Sequence, residues 1–138
     1  MVNIQAIDHL VLRVVDLERS VHFYQQVLGC EVVKRQAHLG LVHLRAGSSL
    51  IDLISLVGKL GQQGGRGPGV EGHNVDHFCL RIEPFDEAGL VAHLAAFGIT
   101  PLGPASLNFG AEGQGLSLYF KDPDNNIIEL KGPAFPAG

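Results

Sequence analysis

Two histidines stand in matching octapeptides, Ile7-Asp8-His9-Leu10-Val11-Leu12-Arg13-Val14 and Val75-Asp76-His77-Phe78-Cys79-Leu80-Arg81-Ile82. His9 and His77 lie 68 positions apart, and so do Arg13 and Arg81. Further along each half a carboxylate sits in an apolar run: Asp52 in Leu50-Ile51-Asp52-Leu53-Ile54, and Glu129 in Asn126-Ile127-Ile128-Glu129-Leu130-Lys131. A carboxylate flanked by Ile and Leu is costly to bury unless a cation, a hydrogen-bond donor or a metal meets it. If the halves pair about a pseudo-twofold axis, His9, Asp52, His77 and Glu129 converge. Two imidazoles and two carboxylates suit Zn, Ni, Mn, Fe(II) or Co, with positions left open for water or substrate, and the donor types do not choose among these metals. Taken singly, each histidine is better read as a satisfied structural residue and each acid as the partner of an arginine. Recurrence of all four in repeat register favours the metal site.

Arg13 and Arg81 follow the histidines by four residues on the same strand faces, so they are expected to point into the same cavity. A guanidinium there either grips a substrate carboxylate with its planar fork or pairs with an inward acid and seals the sheet edge. Cys79, two residues from His77, is expected to line that cavity as a small wall residue, since no base or helix N-terminus beside it would make a nucleophile of it. The remaining histidines, His22, His38, His73 and His93, have no repeat partner and are read as solvated surface.

The elements that must position these groups also repeat. The two octapeptides alternate with a period of two and are predicted strands. Asp16 precedes an apolar series at helical spacing, Leu17, Val21, Tyr24 and Leu28, closed by Gly29; Asp86 precedes Leu90, Leu94 and Phe97, closed by Gly98. Both helices therefore carry an N-cap and a left-handed stop. Strands are predicted at 31–35, 38–45 and 49–56, and again at 100–103, 116–121 and 126–131, the last pair joined by the turn Asp122-Pro123-Asp124-Asn125. The fold class is α+β: two βαβββ modules, at 4–57 and 75–131, forming a cup-shaped mixed sheet with helices on its outer face, in one domain over 1–138. Residues 58–74 are glycine-crowded and aperiodic and are read as a mobile linker or lid, residues 108–115 as an active-site loop, and 132–138 as a tail.

At 138 residues and 46% apolar, the chain suffices for one good core and is too short for two large independent domains. The net charge of −4 and the lack of a basic run argue against nucleic acid as a main partner. No apolar run reaches the roughly 18 residues of a membrane span, and the N-terminus has no signal-like pattern, so a cytoplasmic location is expected. Cys30 and Cys79 are then free thiols.

The opening Ile7-Asp8-His9-Leu10-Val11-Leu12-Arg13-Val14-Val15-Asp16-Leu17-Glu18-Arg19-Ser20, with Phe23-Tyr24 and Val27-Leu28-Gly29, resembles the start of the vicinal oxygen chelate superfamily. That superfamily includes glyoxalase I, fosfomycin resistance proteins, bleomycin-binding proteins and extradiol dioxygenases. The ending Leu118-Tyr119-Phe120-Lys121-Asp122-Pro123-Asp124-Asn125-Asn126-Ile127-Ile128-Glu129-Leu130 resembles its closing signature, with Asn125 where glycine is usual. The resemblance runs from about Ile4 to Lys131 and is more specific for superfamily than for reaction. It implies that His9, His77 and Glu129 match metal ligands, and that Asp52 stands where glyoxalase-like members carry glutamate. Being one methylene shorter, Asp52 then binds directly, through water or not at all, and His43 on the neighbouring strand is the alternative fourth ligand. An arginine at the position of Arg13 helps to hold a substrate carboxylate in glyoxalase I-like proteins.

The resemblance implies a divalent metal ion as cofactor, a small-molecule substrate and a homodimer in which modules pair across chains. The function it favours is a metal-dependent lyase or isomerase of the glyoxalase-like branch, acting on a small oxygenated substrate through a metal-stabilised enediolate, with Glu129 or Asp52 as base. Leu56 stands where glyoxalase I carries an asparagine that helps bind glutathione, which speaks against that thiol. The alternatives are an Fe(II) extradiol dioxygenase with His9, His77 and Glu129 as a facial triad, a fosfomycin-type thiol transferase, and a metal-free module that sequesters a drug or metabolite. Aromatic residues make up 7% of the chain and Trp is absent, a poor endowment for a stacking groove.

Overall fold

The computed structural model describes residues 1–136 and divides into two compact units, the first ending at Asn74 and the second starting at Val75. In the first unit, strand β1 (His9–Val14) leads into helix α1 (Leu17–Gln26), followed by β2 (Glu31–Gln36), β3 (Leu41–Ala46) and β4 (Ser49–Ser55). The sheet order is β1-β4-β3-β2, with β1 parallel to β4 and the other pairs antiparallel. The second unit repeats this plan with β5 (Phe78–Arg81), α2 (Glu87–Ala95), β6 (Ser106–Gly110), β7 (Gly113–Lys121) and β8 (Ile127–Lys131), ordered β5-β8-β7-β6. A helical crossover makes the first and last strands of each unit parallel neighbours, which sets each histidine strand beside its carboxylate strand. The fold is α+β, built from two βαβββ modules. Among the described residues no helix is long and apolar enough to cross a membrane.

Both helices start where the capping residues place them. The Asp16 carboxylate accepts from the Arg19 amide at 3.1 Å, and that of Asp86 from the Gly89 amide at 3.2 Å. The buried core of the first unit includes Leu12 and Val14 of β1, Val21 and Tyr24 of α1, and Leu44, Ile51 and Leu53 of β3 and β4. Full burial of such side chains is worth about 1.5–3 kcal/mol each. The buried face of α1 is Ser20, Val21, Phe23 and Tyr24, while Leu17 and Leu28 of the expected series are only half-buried. The core of the second unit is Leu94, Leu118, Phe120, Ile128 and Leu130.

Several local expectations are corrected. No strand forms at 100–103: Pro101 and Pro104 have no N–H for a ladder, and only the Leu102 amide reaches across, to the Tyr119 carbonyl at 2.8 Å. The missing strand is instead Ser106–Gly110, whose last three residues fall in the stretch expected to be a loop; residues 108–115 belong to a hairpin of β6 and β7 in which Gly110 pairs with Gly113. Its glycine content disguised a period-two segment, Ser106-Leu107-Asn108-Phe109. The strand expected from residue 38 starts at Leu41, because Ala37–Leu39 turn tightly and Gly40 follows in the left-handed region. The glycine-rich 58–74 segment is not a free linker in its first part. A short 3-10 turn, Gly61–Gly64, lies against the end of β4, so close that a Cβ on Gly61 would fall 1.8 Å from the Ser55 carbonyl oxygen. The expected tail at 132–138 starts with buried Gly132, and its residues 137 and 138 lie outside the described residues.

Candidate functional site

In the second unit, parallel pairing of β5 with β8 sets Cys79 opposite Glu129, and antiparallel pairing of β7 with β8 sets Tyr119 opposite the same residue. Glu129 is 5% exposed and surrounded by donors. Ser117 donates its hydroxyl to Glu129 Oε2 at 2.5 Å, and His77 Nε2 lies 3.2 Å from Oε1. The Tyr119 hydroxyl and the Cys79 thiol also donate to this carboxylate. Burial first, and then the bond to Glu129, pushes the Tyr119 phenol up to about 12; burial, reinforced by the Glu129 charge, pushes the Cys79 thiol up to about 11. Both stay protonated at neutral pH, and Cys79 is present as the thiol.

The other face of the His77 ring is fixed by its chain neighbour. His77 Nδ1 lies 2.6 Å from Asp76 Oδ2, and the edge of the ring meets Tyr119 with centroids 5.8 Å apart. Asp76 thereby orients the ring so that Nε2 is directed at Glu129, where the two atoms can share a proton or a cation.

The first unit builds the same relation. His9 Nδ1 is 2.8 Å from Asp8 Oδ2, and its Nε2 is directed at Asp52 Oδ2 at 3.9 Å. The hydrogen bond that His9 donates to Asp8, and then the charge of Asp52, hold the His9 imidazole above its ordinary pKa. Asp52, 5% exposed, is held on its other oxygen by His43, whose Nδ1 lies 2.9 Å from Oδ1. The Gln36 amide nitrogen lies 2.9 Å from His43 Nε2, so Gln36 donates, Nε2 accepts, and the His43 proton sits on Nδ1, aimed at Asp52. Both His43 nitrogens are thereby engaged, and the residue serves as a support for Asp52.

The two arginines have different surroundings. Arg13 donates to the carbonyls of Gly61 at 3.4 Å, Gly65 at 3.0 Å and Arg66 at 2.7 Å, which ties the glycine-rich segment to β1. Arg81 donates from Nε to Glu112 Oε1 at 2.5 Å and also to the Ile82 carbonyl. Within the second unit a cavity of about 390 Å³ opens over His77, Cys79 and Glu129, walled by Arg81, Lys131 and the tip of the β6–β7 hairpin.

Sequence reasoning passed over several of these groups. Asp8 and Asp76 were given no role, yet both are largely exposed and each orients a histidine. Ser117 and Tyr119 alternate on β7, and Lys131 follows Glu129 by two on β8; a period-two reading outward from Glu129 finds the lysine, while the other two require the strand register. Gln36 gave no signal.

Comparison with known proteins agrees with this architecture. The sequence pattern of the Glyoxalase/Bleomycin resistance protein/Dioxygenase superfamily matches residues 6–130. The chain is 30% identical over 129 residues to the virulence protein STM3117 of Salmonella typhimurium, an alignment that covers 92% of this chain and 83% of that one. The crystal structure of that protein matches at a TM-score of 0.80 with 26% identity, covering 96% of this chain and 100% of its own. The glyoxalase domain-containing protein RDO1 of Mycosarcoma maydis is 32% identical over 137 residues, covering 93% of this chain and 68% of that protein. The fosfomycin resistance protein FosX of Listeria monocytogenes, solved with manganese(II) and sulfate, shares the fold at a TM-score of 0.70 and 20% identity, covering 96% of this chain and 94% of its own.

Proposed function

The chain belongs to the Glyoxalase/Bleomycin resistance protein/Dioxygenase superfamily, and from that premise we propose that it is a metal-dependent enzyme of the glyoxalase-like kind, a lyase or isomerase acting on a small oxygenated substrate. The observation that carries this reading is a histidine Nε2 directed at a buried carboxylate in each unit, His77 toward Glu129 and His9 toward Asp52. Asp76 and Asp8 fix the other ring nitrogen, which is the outer support that metal-bound histidines ordinarily have. The donor set fits a divalent ion of the Zn, Ni, Mn, Fe or Co group, with His9, Asp52, His77 and Glu129 as the proposed ligands. His43 is the lesser candidate, because Gln36 and Asp52 occupy its two nitrogens. Such an ion supplies Lewis acidity toward a substrate oxygen.

Proton movement falls to this chain's own carboxylates. Glu129 is the proposed base that takes a proton from carbon beside a carbonyl, leaving an enediolate. Ser117 and Tyr119 hold it in place while His77 faces its other oxygen. Asp52 is the second candidate, steadied by His43. Cys79 shapes the wall. The proposed assembly is a homodimer, as the family commonly forms.

The test is a screen of α-hydroxycarbonyl compounds and thiohemiacetals for solvent deuterium exchange at the carbon beside the carbonyl. Glu129→Gln is expected to lower turnover about 10²–10⁴-fold with little change in substrate affinity. Catechols with Fe(II) and an oxygen electrode form the rival arm. Oxygen consumption without exchange would move the protein to the dioxygenase branch, and tight ligand binding by metal-free protein with silence in both assays would make it a sequestration module.

A further inference from the structure

Lys131 closes β8 two residues beyond Glu129, and the alternation of a strand puts both side chains on one face. It is 6% exposed, which is unusual for lysine. Its course is cleared by two glycines of the neighbouring hairpin: a Cβ on Gly110 would stand 2.7 Å from Lys131 Cε, and one on Gly115 would stand 2.7 Å from Nζ. No larger residue at either position leaves the stem where it lies. The side chain lines the cavity that His77 and Glu129 also line.

Lys131 shares this cavity with a second cation, Arg81. Arg81, its register partner on β5, is taken by Glu112. Glu129 is engaged by His77, Ser117 and Tyr119. Among the described residues Lys131 makes no ion pair. A lysine whose stem is held in a glycine-lined path, and whose ammonium makes no ion pair, is placed to meet an anion that enters the cavity.

We infer that Lys131 is the anion-recognising residue of this cavity, and that the substrate carries an oxyanionic head group, carboxylate or phosphoryl, alongside the oxygens presented to His77 and Glu129. This inference rests on the proposed site for the identity of the reacting end, while the anion contact is measurable by itself. The cavity volume of about 390 Å³ limits the ligand to a small metabolite.

The experiment is calorimetric titration of the purified protein with malonate, with uncharged malonamide, and with inorganic phosphate, metal content being measured on the same samples. Lys131→Met keeps the length of the stem and removes the charge. It is expected to weaken malonate about 10- to 100-fold, the usual range for a lost charge-assisted contact, while leaving malonamide unchanged. Gly110→Ala, which displaces the lysine head, is expected to weaken malonate in the same direction while circular dichroism stays native. Phosphate bound more tightly than malonate, with the same dependence on Lys131, would support the site and assign it to phosphoryl compounds. Equal malonate affinity in wild type and Lys131→Met, or no binding of either anion by wild type, overturns the inference. Metal-free wild-type protein that still binds malonate through Lys131 supports the anion site independently of the metal reading.

Discussion

Replacing Asp122 by Ala is expected to loosen the turn that sets the register of β8, and with it Glu129. The buried Asp122 carboxylate accepts three hydrogen bonds: Oδ1 from the amides of Asp124 and Asn126, each at 2.9 Å, and Oδ2 from the Asn126 side-chain nitrogen at 2.8 Å. Asn126 is fully buried, so the change takes an acceptor from its backbone amide and from its side-chain amide. A buried donor left unsatisfied costs about 1–3 kcal/mol, and the half-buried Asp124 amide adds less, for a total of about 3–5 kcal/mol. The backbone bonds from the Asp122 amide to the Asn126 carbonyl and from the Asn125 amide to the Asp122 carbonyl remain, so the turn is weakened and not erased. With a urea m-value of about 2 kcal/mol/M, the midpoint of unfolding, followed by far-ultraviolet circular dichroism, falls by about 2 M. Asp122→Asn, which keeps one oxygen and loses the charge, costs about 1–2 kcal/mol. The double variant Asp122→Ala/Asn126→Ala costs less than the sum of its parts, because either change removes the bond between the Asn126 side chain and Asp122 Oδ2. A midpoint shift for Asp122→Ala below about 0.3 M, or strict additivity in the cycle, would refute the reasoning.

Three further outcomes follow from side chains described above. Arg13→Ala removes the donors that hold the carbonyls of Gly61, Gly65 and Arg66, so trypsin is expected to cut after Arg66 at least about threefold faster, at a stability cost of about 1 kcal/mol or less. Burial pushes the Cys30 thiol up to about 11, so iodoacetamide at pH 8 leaves Cys30 unmodified in folded protein and alkylates it after unfolding. Because that folded-state pKa lies above the ordinary thiol value of 9.0, its stabilising contribution is complete below pH 9 and is lost as pH rises through 11; Cys30→Ala flattens that part of the stability profile. Ser117→Ala removes the 2.5 Å bond that orients Glu129 and is expected to lower divalent-metal affinity about 10-fold, read by competition with a chromophoric chelator.

The duplicated architecture was legible because its signals are local. Aspartate caps, terminal glycines and matched octapeptides fix where strand gives way to helix, and the parallel pairing of first and last strands follows from the crossover between them. The errors fell where composition hid the period. Glycines in 108–115 read as a loop although Leu107 and Phe109 continue a strand, and Pro101 and Pro104 sit in a segment whose apolar content alone suggested one. The linker deceived for a different reason: nothing in a glycine-rich sequence reveals that Arg13, some fifty residues earlier, gathers its carbonyls. At the site, His77 with Glu129 and His9 with Asp52 were visible through repeat register, whereas the residues that orient them come from neighbouring strands whose alignment no local pattern reports. Asn125 is a smaller instance: it stands where the family usually has glycine, and it alone among the described non-glycine residues adopts a positive φ, 66°, a conformation asparagine tolerates.

The most direct test of the central claim is elemental analysis of the purified, chelator-washed and remetallated protein beside its His77→Ala and Glu129→Gln variants, with circular dichroism to confirm that each is folded. The account predicts about one divalent ion per chain in the wild type, and a loss of most of it in both variants at unchanged secondary structure. Full metal occupancy in folded His77→Ala protein, or no stoichiometric metal in the wild type at any of the Zn, Ni, Mn, Fe or Co loadings, would contradict it.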